Sequence, residues 1–400
     1  MNAQSEPRCL LVDASSFLYR SFHALPPLTN AKGEPTGALL GLLNMLKKCL
    51  VTEQPNYVAV VFDSKGPTTR HQLYPEYKAN RGPMPDELSL QIEPAKALVE
   101  ALGLQVVNQI GIEADDLIGT LTQQACQDGM TVTIATTDKD MAQLVQPQVT
   151  LLDTMRQRRM DSTGVMEKFG VRPDQIIDYL ALMGDASDNI PGVPMVGQKT
   201  AAKLLGQYDH LDNLMAHIDQ IQGKVGINLR AAASKLPLSK RLATIDCALE
   251  IDQNIHACKR REEDRDALIE QYQRYEFRAH LKELLAKLPH SISTESQNQN
   301  VQIMTESDWA AHVDQWQHVE WMAIDLILSD SPYTTSGDSV DHWVGCSLMA
   351  VDQSPVYIAF RSEENQTKEA VIAAWLERLQ RFVSTFKGLW VGYDFKAICK

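Results

Sequence analysis

Nine acidic side chains fall at the ends of apolar runs or in the opening turns of helical patterns. They are Asp13 in "CLLVDASS", Asp63 in "YVAVVFDSK", Glu113, Asp115 and Asp116 in "GIEADDLIGTL", Asp138 and Asp140 in "IATTDKDMAQL", and Asp185 and Asp188 in "GDASDNIPGV". A single acid in a first helical turn is ordinary, because the positive end of the helix dipole favours it. Several clusters, three of them at strand ends of one sheet, point instead to a shared acidic site, since crowded like charges are costly without cations. Hard oxygen ligands in that number suit Mg2+ or Mn2+. Two such ions about 4 Å apart activate a water and stabilise the leaving oxygen of a phosphodiester. Octahedral ions keep several waters, so some of the nine would act through water or orient the direct ligands.

The elements that must hold these acids are legible as an alternation. "CLLVDASS", "YVAVVFDSK", "GLQVVNQIGIEADD" and "MTVTIATTDKD" each begin as short Val-, Ile- or Leu-rich runs, read as strands buried on both faces. Between them "GALLGLLNMLKKCL" and "LSLQIEPAKALVEALG" repeat apolar residues at three and four, the second ending at Gly103. This is an α/β pattern with a mostly parallel sheet flanked by helices, and ligands then lie beyond the carboxyl ends of the strands. From about 165 to 290 the pattern is helical, as in "PDQIIDYLALMGD" and "QKTAAKLLGQY". "PHSISTESQNQN" reads as a polar linker, and a second α/β module starts at "VQIMTESDWAAHV". It stops at "GLWVGYDFKAICK" without a terminal signal, so residue 400 reads as a cut in a longer protein.

A phosphodiester enzyme must also hold its polymer. In "GDASDNIPGVPMVGQKTAAKLLGQY" a turn precedes a helix starting near Gln198, and Gly192, Gly197, Lys199 and Thr200 sit where backbone N–H groups and a helix N-terminus could grip a phosphate. A Walker A loop is rejected, because Gln198 separates Gly197 from Lys199 and no strand precedes the turn. In "HQLYPEYKANRGPMPDE", Arg70, Tyr77, Lys78 and Arg81 lie in a proline-broken stretch suited to gripping and stacking a single strand, or to forming a solvated loop.

The net charge of −13 opposes nucleic-acid binding at first sight. Residues 1–290 carry 31 basic and 36 acidic side chains, so without the nine site acids they would be net positive. A mildly basic surface around an acidic pit fits these counts. Four hundred residues with 44% hydrophobic and 22% charged content describe two or three soluble globular domains. No apolar run is long enough to span a bilayer, and "MNAQSEPRCLLVD" lacks the basic start and apolar core of a signal peptide, so a cytoplasmic protein is expected. The seven cysteines show neither a CxxC pair nor zinc-like spacing and read as reduced thiols.

Taken in order, "LLVDASSFLYRSFHALPPLTNAKGEPTGALLG", "VVFDSKG", "YKANRGPMPDEL", "GIEADDLIGTL", "TTDKDMAQLV" and "YLALMGDASDNIPGV" closely resemble the 5′-nuclease region of bacterial DNA polymerases of the polymerase I type, within the flap endonuclease family. The resemblance covers about residues 8–290. It implies an α/β core with a helical arch at 1–180, a helical region with a helix-hairpin-helix element at 181–290, a linker at 291–303, and a partial ribonuclease H-like domain at 304–400. The implied activity is Mg2+-dependent cleavage of DNA at 5′ flaps and nicks and removal of 5′ nucleotides, RNA primers included, by a monomer. All nine acids match the family's metal positions, with Asp13, Asp63, Glu113, Asp115 and Asp116 near one ion and Asp138, Asp140, Asp185 and Asp188 near the other. Arg20, Tyr77, Lys78 and Arg81 match residues that steer the 5′ end and the scissile phosphate. A K+ ion at the hairpin is among the implied contacts. Two positions depart from the family's pattern: Ala14 and Met195 stand where glycine is usual, and Met195 restricts positive φ and close phosphate approach.

The second module resembles the proofreading-exonuclease-like domain of the same polymerases, but Ile327 and Ile398 replace expected acids, which leaves Asp325 isolated and two-metal chemistry implausible there. Two other readings stand beside the nuclease. A phosphomonoesterase with Asp13 as nucleophile lacks its partner acid, because the residue two positions on is Ser15. A non-catalytic DNA-binding scaffold fits Met195 and the degenerate module but leaves the full carboxylate set unexplained.

Overall fold

The first apolar run forms β1 (Arg8–Asp13), buried from Cys9 onward. In the computed structural model it pairs in parallel with β2 (Tyr57–Val61) on one side and β4 (Thr131–Ala135) on the other. β3 (Gln105–Val107) extends the sheet beyond β2 and β5 (Val149–Asp153) beyond β4, both parallel. β6 (Arg158–Met160) closes the order β3-β2-β1-β4-β5-β6 as an antiparallel edge. The structure describes residues 6–287 apart from positions 65, 155 and 157, and within 302–392 the elements named below.

Alternation along the central strands divides two cores. Leu10, Val12, Val58 and Val60 face helices α1 (Ala14–Ala24), α2 (Gly37–Glu53) and residues of the later helices, with Phe17, Leu42 and Leu46 fully covered. Cys9, Leu11, Ala59 and Val61 face the other way, onto Leu117, Ile118 and Leu121. Burial on both faces explains why the strands read as continuous apolar runs.

The arch region begins with α3 (Thr69–Leu73). The single helix expected over "LSLQIEPAKALVEALG" is two pieces, α4 (Asp86–Ser89) and α5 (Ile92–Ala101). Gln91 interrupts them: its buried side chain takes the Leu39 N–H (3.0 Å) and donates to the Glu87 carbonyl (2.9 Å). Pro94 has no N–H to return to Leu90, so it is accommodated in the first turn of a new helix. α6 (Ala114–Gln127) carries Leu117, Ile118 and Leu121.

The β5–β6 hairpin was not legible in the sequence, since β6 reads Arg-Arg-Met with no apolar alternation. From α7 (Ser162–Phe169) onward the chain is helical as expected: α8 (Ile176–Met183), α9 (Gln198–Tyr208), α10 (Leu211–Ala216), α11 (Gly223–Ala232), α12 (Leu236–Ala243), α13 (Arg265–Arg274) and α14 (Arg278–Lys287). The last two return to the first core through Leu268, Tyr272 and Phe277.

Contacts divide the chain into Met1–Leu288 and Pro289–Lys400. The second unit has a sheet ordered β11-β8-β9-β10-β7, from β7 (Gln302–Ile303), β8 (Trp321–Leu328), β9 (Trp343–Ala350), β10 (Val356–Ala359) and β11 (Leu389–Gly392). β8, β9 and β10 form an antiparallel meander, with β11 and β7 parallel at its edges. Trp309 packs edge-on against Trp375 (5.7 Å) and Phe382 (5.7 Å) of α15 (Lys368–Thr385). Asp325 and Ile327 lie on β8 opposite Ser347 and Gly345. Ile398 and most of the expected linker lie outside the described residues. Among the described residues no helix is long and apolar enough to cross a membrane.

Candidate active site

The carboxyl ends of β1, β2 and β4 deliver Asp13, Asp63 and the Asp138/Asp140 pair to one edge, as the alternation required. Asp13 caps α1 by accepting the Ser16 N–H (3.0 Å) and also accepts the Thr136 hydroxyl (2.9 Å). Burial raises its carboxyl to about 6, against those hydrogen bonds, and the charge of Asp63 adds to the rise. Asp63 accepts the Ala114 N–H at the start of α6 (3.1 Å), while its own N–H is held by the Ser15 hydroxyl (2.9 Å). Ser15 therefore positions Asp63, a role its sequence position alone did not reveal.

Asp115 is pushed well above the usual carboxylate range by burial and then by Asp138 and Asp13. Asp138 is raised by burial and by Asp188 and Asp185, although it accepts the Asp140 N–H (2.9 Å). Asp140 is raised by burial and by Asp138 and Asp185, and its buried Oδ1 has no hydrogen-bond partner. Mutual repulsion among buried and half-buried carboxylates and an orphaned buried oxygen are what a hard divalent cation relieves. The donor set therefore fits the metal. Among the described residues no three His, Cys, Asp or Glu side chains are already drawn together to hold an ion.

The remaining acids are neutralised by cations of the chain itself. Glu113, the N-cap of α6, accepts Lys78 Nζ (2.7 Å) and the Thr68 hydroxyl (2.7 Å) and stands 3.1 Å from the Tyr77 hydroxyl. Although burial opposes it, Lys78 and Arg70 hold this carboxyl at about 2. Asp188 meets Arg81, Tyr77 (3.0 Å) and, more distantly, Lys78 (3.7 Å). Asp185 accepts Lys139 Nζ (2.8 Å) and the Ser187 N–H (2.8 Å), which hold it low despite burial. Lys139, inside "TTDKD", was missed in the sequence; its only signal was a cation between two candidate ligands.

Segment 76–81 is stitched to loop 185–190: Lys78 N–H donates to the Asp188 carbonyl (2.9 Å), Asn189 to the Glu76 carbonyl (2.7 Å), and Asn80 to the Ala186 carbonyl (2.5 Å). Lys78 itself adopts a positive φ of 55°. The arch base is thereby fixed over the pit, with Tyr77 buried and Arg81 half exposed. Arg20 is elsewhere on the rim, on α1, 3.9 Å from Asp153.

Two expectations need correction. Arg70, read as part of a strand-gripping stretch, is buried and places its guanidinium on both oxygens of Asp116 (2.7 Å each), with further bonds to the Leu242 (3.0 Å) and Thr244 (2.7 Å) carbonyls. Asp116, grouped with the acids near one ion, is turned to Arg70 and to the Asp246 N–H (2.9 Å) rather than to the neighbouring carboxylates. The reason is helical geometry: Asp115 and Asp116 are adjacent and point to different faces of α6.

At the hairpin between α8 and α9, Gly192 permits close backbone contact, since a Cβ there would lie 2.4 Å from the Met183 carbonyl. Gly197 is the N-cap of α9, with open space where a Cβ would be, and Lys199 is exposed and Thr200 half-buried in the first turn. Met195 does adopt a positive φ, 65°, and is 71% exposed.

Residues 8–170 match the family described as 5′-3′ exonuclease, N-terminal resolvase-like domain, and residues 171–266 match its C-terminal SAM fold. The chain belongs to the 5′-3′ exonuclease family. A 5′-3′ exonuclease of Aquifex aeolicus is 38% identical over 274 residues, covering 68% of this chain and 94% of that protein. A DNA polymerase I of Pseudomonas aeruginosa is 43% identical over 366 residues, covering 88% of this chain but 40% of the polymerase. The chain thus spans well under half the length of that polymerase. Among solved structures, a bacteriophage T5 5′-exonuclease with bound zinc shares the fold at a TM-score of 0.52, with 21% identity, covering 70% of this chain and 98% of that one. In this chain Asp13, Asp63, Glu113, Asp115, Asp116, Asp138 and Asp140 lie on the resolvase-like part, and Asp185, Asp188 and the hairpin lie on the SAM-fold part.

Proposed function

We propose that the chain is a divalent-metal-dependent, structure-specific 5′ nuclease. It would cut DNA at 5′ flaps and nicks and remove RNA primers in the cytoplasm, as the front part of a DNA polymerase I. The observation that carries this is the set Asp13, Asp115, Asp138 and Asp140, four carboxyls raised by burial and mutual repulsion at one sheet edge, beside arch cations that already neutralise Glu113 and Asp188.

Two Mg2+ or Mn2+ ions would supply a nucleophilic water and charge stabilisation at the leaving oxygen. Asp13, Asp63, Asp115, Asp138 and Asp140 are the residues best placed to hold them, with Asp185 joining once Lys139 withdraws. Glu113 and Asp188 orient Lys78 and Arg81. An incoming phosphate competes with Asp188 for Arg81, which is half exposed and can turn, while partly buried Lys78, held by Glu113, supplies fixed positive charge. Tyr77 keeps the two acids apart by bridging them. Exposed Lys199 and the N-terminus of α9 would bear on duplex phosphates, and any K+ ion would sit at the same hairpin.

The similarity to the Pseudomonas aeruginosa polymerase extends over 366 residues, past Leu288, which supports reading residues 304–400 as continuing into the same kind of polymerase; reading them as an inactive exonuclease-like domain rests on Ile327 and Ile398 standing where acids are expected. A 5′-labelled flap incubated with and without Mg2+ tests the proposal: cleavage near the flap junction, dependent on Mg2+ and lost in Asp140→Asn, is expected. A folded wild-type chain that leaves the flap intact in Mg2+ overturns it.

A further inference from the structure

The β5–β6 hairpin carries Arg156, Arg158 and Arg159, three basic residues in four positions of a chain whose net charge is −13. Arg159 is turned to Glu53 on the far side (2.6 Å). Arg156 and Arg158 are exposed, and among the described residues neither side chain makes an ion pair. Lys168, across from them on α7, lies 4.9 Å over the Phe169 ring. Its ammonium is held below the usual lysine range by partial desolvation, and Arg158 and Arg156 depress it further while Asp153 and Asp138 oppose them. These three cations form a crowded positive group. Because β5 runs parallel to β1 and β4, its carboxyl end at Asp153 opens on the same edge as the acidic pit, and Arg20 reaches Asp153 from α1. The arch cations pair with Glu113 and Asp188 instead. Positive charge therefore flanks the pit in two separate places.

We propose that Arg156, Arg158 and Lys168 form a binding surface for the phosphate backbone of the paired part of the DNA substrate, an inference that rests on the nuclease reading above. Two features favour duplex over a loose single strand. Gripping a single strand relies on exposed aromatic side chains that stack on bases, and the one aromatic beside these cations, Phe169, is half-buried against the core with Lys168 over its ring. The hairpin is also a laddered ribbon, with Asp153 opposite Arg158 and Leu152 opposite Arg159. A charge carried on a laddered strand, as Arg158 is, matches a backbone of fixed geometry better than a flexible one.

The test compares the whole chain with R156S/R158S on a nicked duplex lacking any flap, with binding measured in chelator across a salt series. Loss of two phosphate contacts lowers the salt slope of log K by about 1.8. In Mg2+ the variant should show KM raised roughly tenfold with kcat kept. K259S/R260S removes equal charge at the amino edge of the sheet, where Lys259 bridges Tyr57, and should leave the slope at its wild-type value. An unchanged slope in R156S/R158S, an equal drop in K259S/R260S, or a defect seen only with flapped substrates each overturns the inference while wild-type cleavage stands. A wild-type chain that neither binds nor cuts DNA overturns the nuclease reading as well.

Discussion

Arg70 meets Asp116 with two parallel hydrogen bonds of 2.7 Å, and the pair is buried where α3, α6 and the end of α12 converge. Asp116 thus ties the arch base to the core by holding a cation that also stands 3.6 Å from Glu113. Breaking a buried pair leaves an uncompensated charge and costs roughly 3–5 kcal/mol, whereas replacing both members with apolar residues of similar size is often nearly neutral. Asp116→Ala and Arg70→Met should each lower the urea midpoint strongly, and R70M/D116L should recover most of that loss. Cleavage by the double variant should stay low, because Glu113 and Lys78 lose their alignment. A stable Asp116→Ala with lost metal affinity would instead return Asp116 to the direct ligands.

Acid and base act oppositely on two neighbours in the pit. Asp13 titrates near 6 in the folded chain, against about 3.9 when unfolded, so the folded state binds more protons between these values. Stability in chelator should therefore fall as pH rises from about 4 to about 6, by up to roughly 3 kcal/mol from this group. Glu113, at about 2 when folded, contributes stability that is present above about 4.3 and is lost as pH drops toward 2. Urea midpoints in chelator should peak near pH 4 to 5, Asp13→Asn should flatten the decline above pH 4, and Mg2+ should restore stability near pH 7. A midpoint that rises steadily to pH 7 in chelator would remove the case for a repulsive carboxylate cluster.

What the sequence made legible follows from where burial acts on both faces. Asp13, Asp63 and Asp138 could be placed at one edge because β1 and β2 hold continuous apolar runs and β4 is a β-branched Thr-Val-Thr-Ile run. The start of α9 at Gln198 was equally readable, from the turn residues before it. Edge strand β6 was not, since an edge exposes its side chains and Arg158–Met160 shows no alternation. Nor was the partnership of Arg70 with Asp116, which joins residues 46 apart in sequence and depends on which face of α6 each acid occupies. Spacing identified the acids; only packing shows which carboxylates remain available to an ion.

Backbone conformation at the hairpin gives a local test. Val196 N–H returns to the Val193 carbonyl (3.0 Å), with Pro194 and then Met195 between them, the pattern of a type II turn whose third residue takes positive φ. A side chain there costs about 1–2 kcal/mol, partly offset in glycine by its greater unfolded freedom. Met195→Gly should exceed Met195→Ala in stability by about 1 kcal/mol in thermal melts. Gly192→Ala should be strongly destabilising, because its Cβ would press on the Met183 carbonyl. Equal melts for the glycine and alanine variants at 195 would mean that the turn relaxes in solution.

Arg81 and Lys199 should separate catalysis from binding. Arg81 contacts Asp188 and the Ser187 carbonyl (3.2 Å) at the rim of the pit, half exposed and close enough to exchange Asp188 for a reacting phosphate. A group that meets the phosphate as charge develops lowers turnover more than affinity. Lys199 is exposed on the first turn of α9, on the SAM-fold part, where the proposed function has it meet the backbone of docked duplex. Arg81→Ala should therefore lose about 100-fold or more in single-turnover cleavage at saturating enzyme with nearly unchanged affinity. Lys199→Ala should cleave normally once saturated but bind more weakly, its salt slope reduced by about 0.9. If Arg81→Ala instead weakens binding and cleaves normally at saturation, the arch base serves as a landing surface, and the reacting phosphate must be held by other cations such as Lys78 and Arg20.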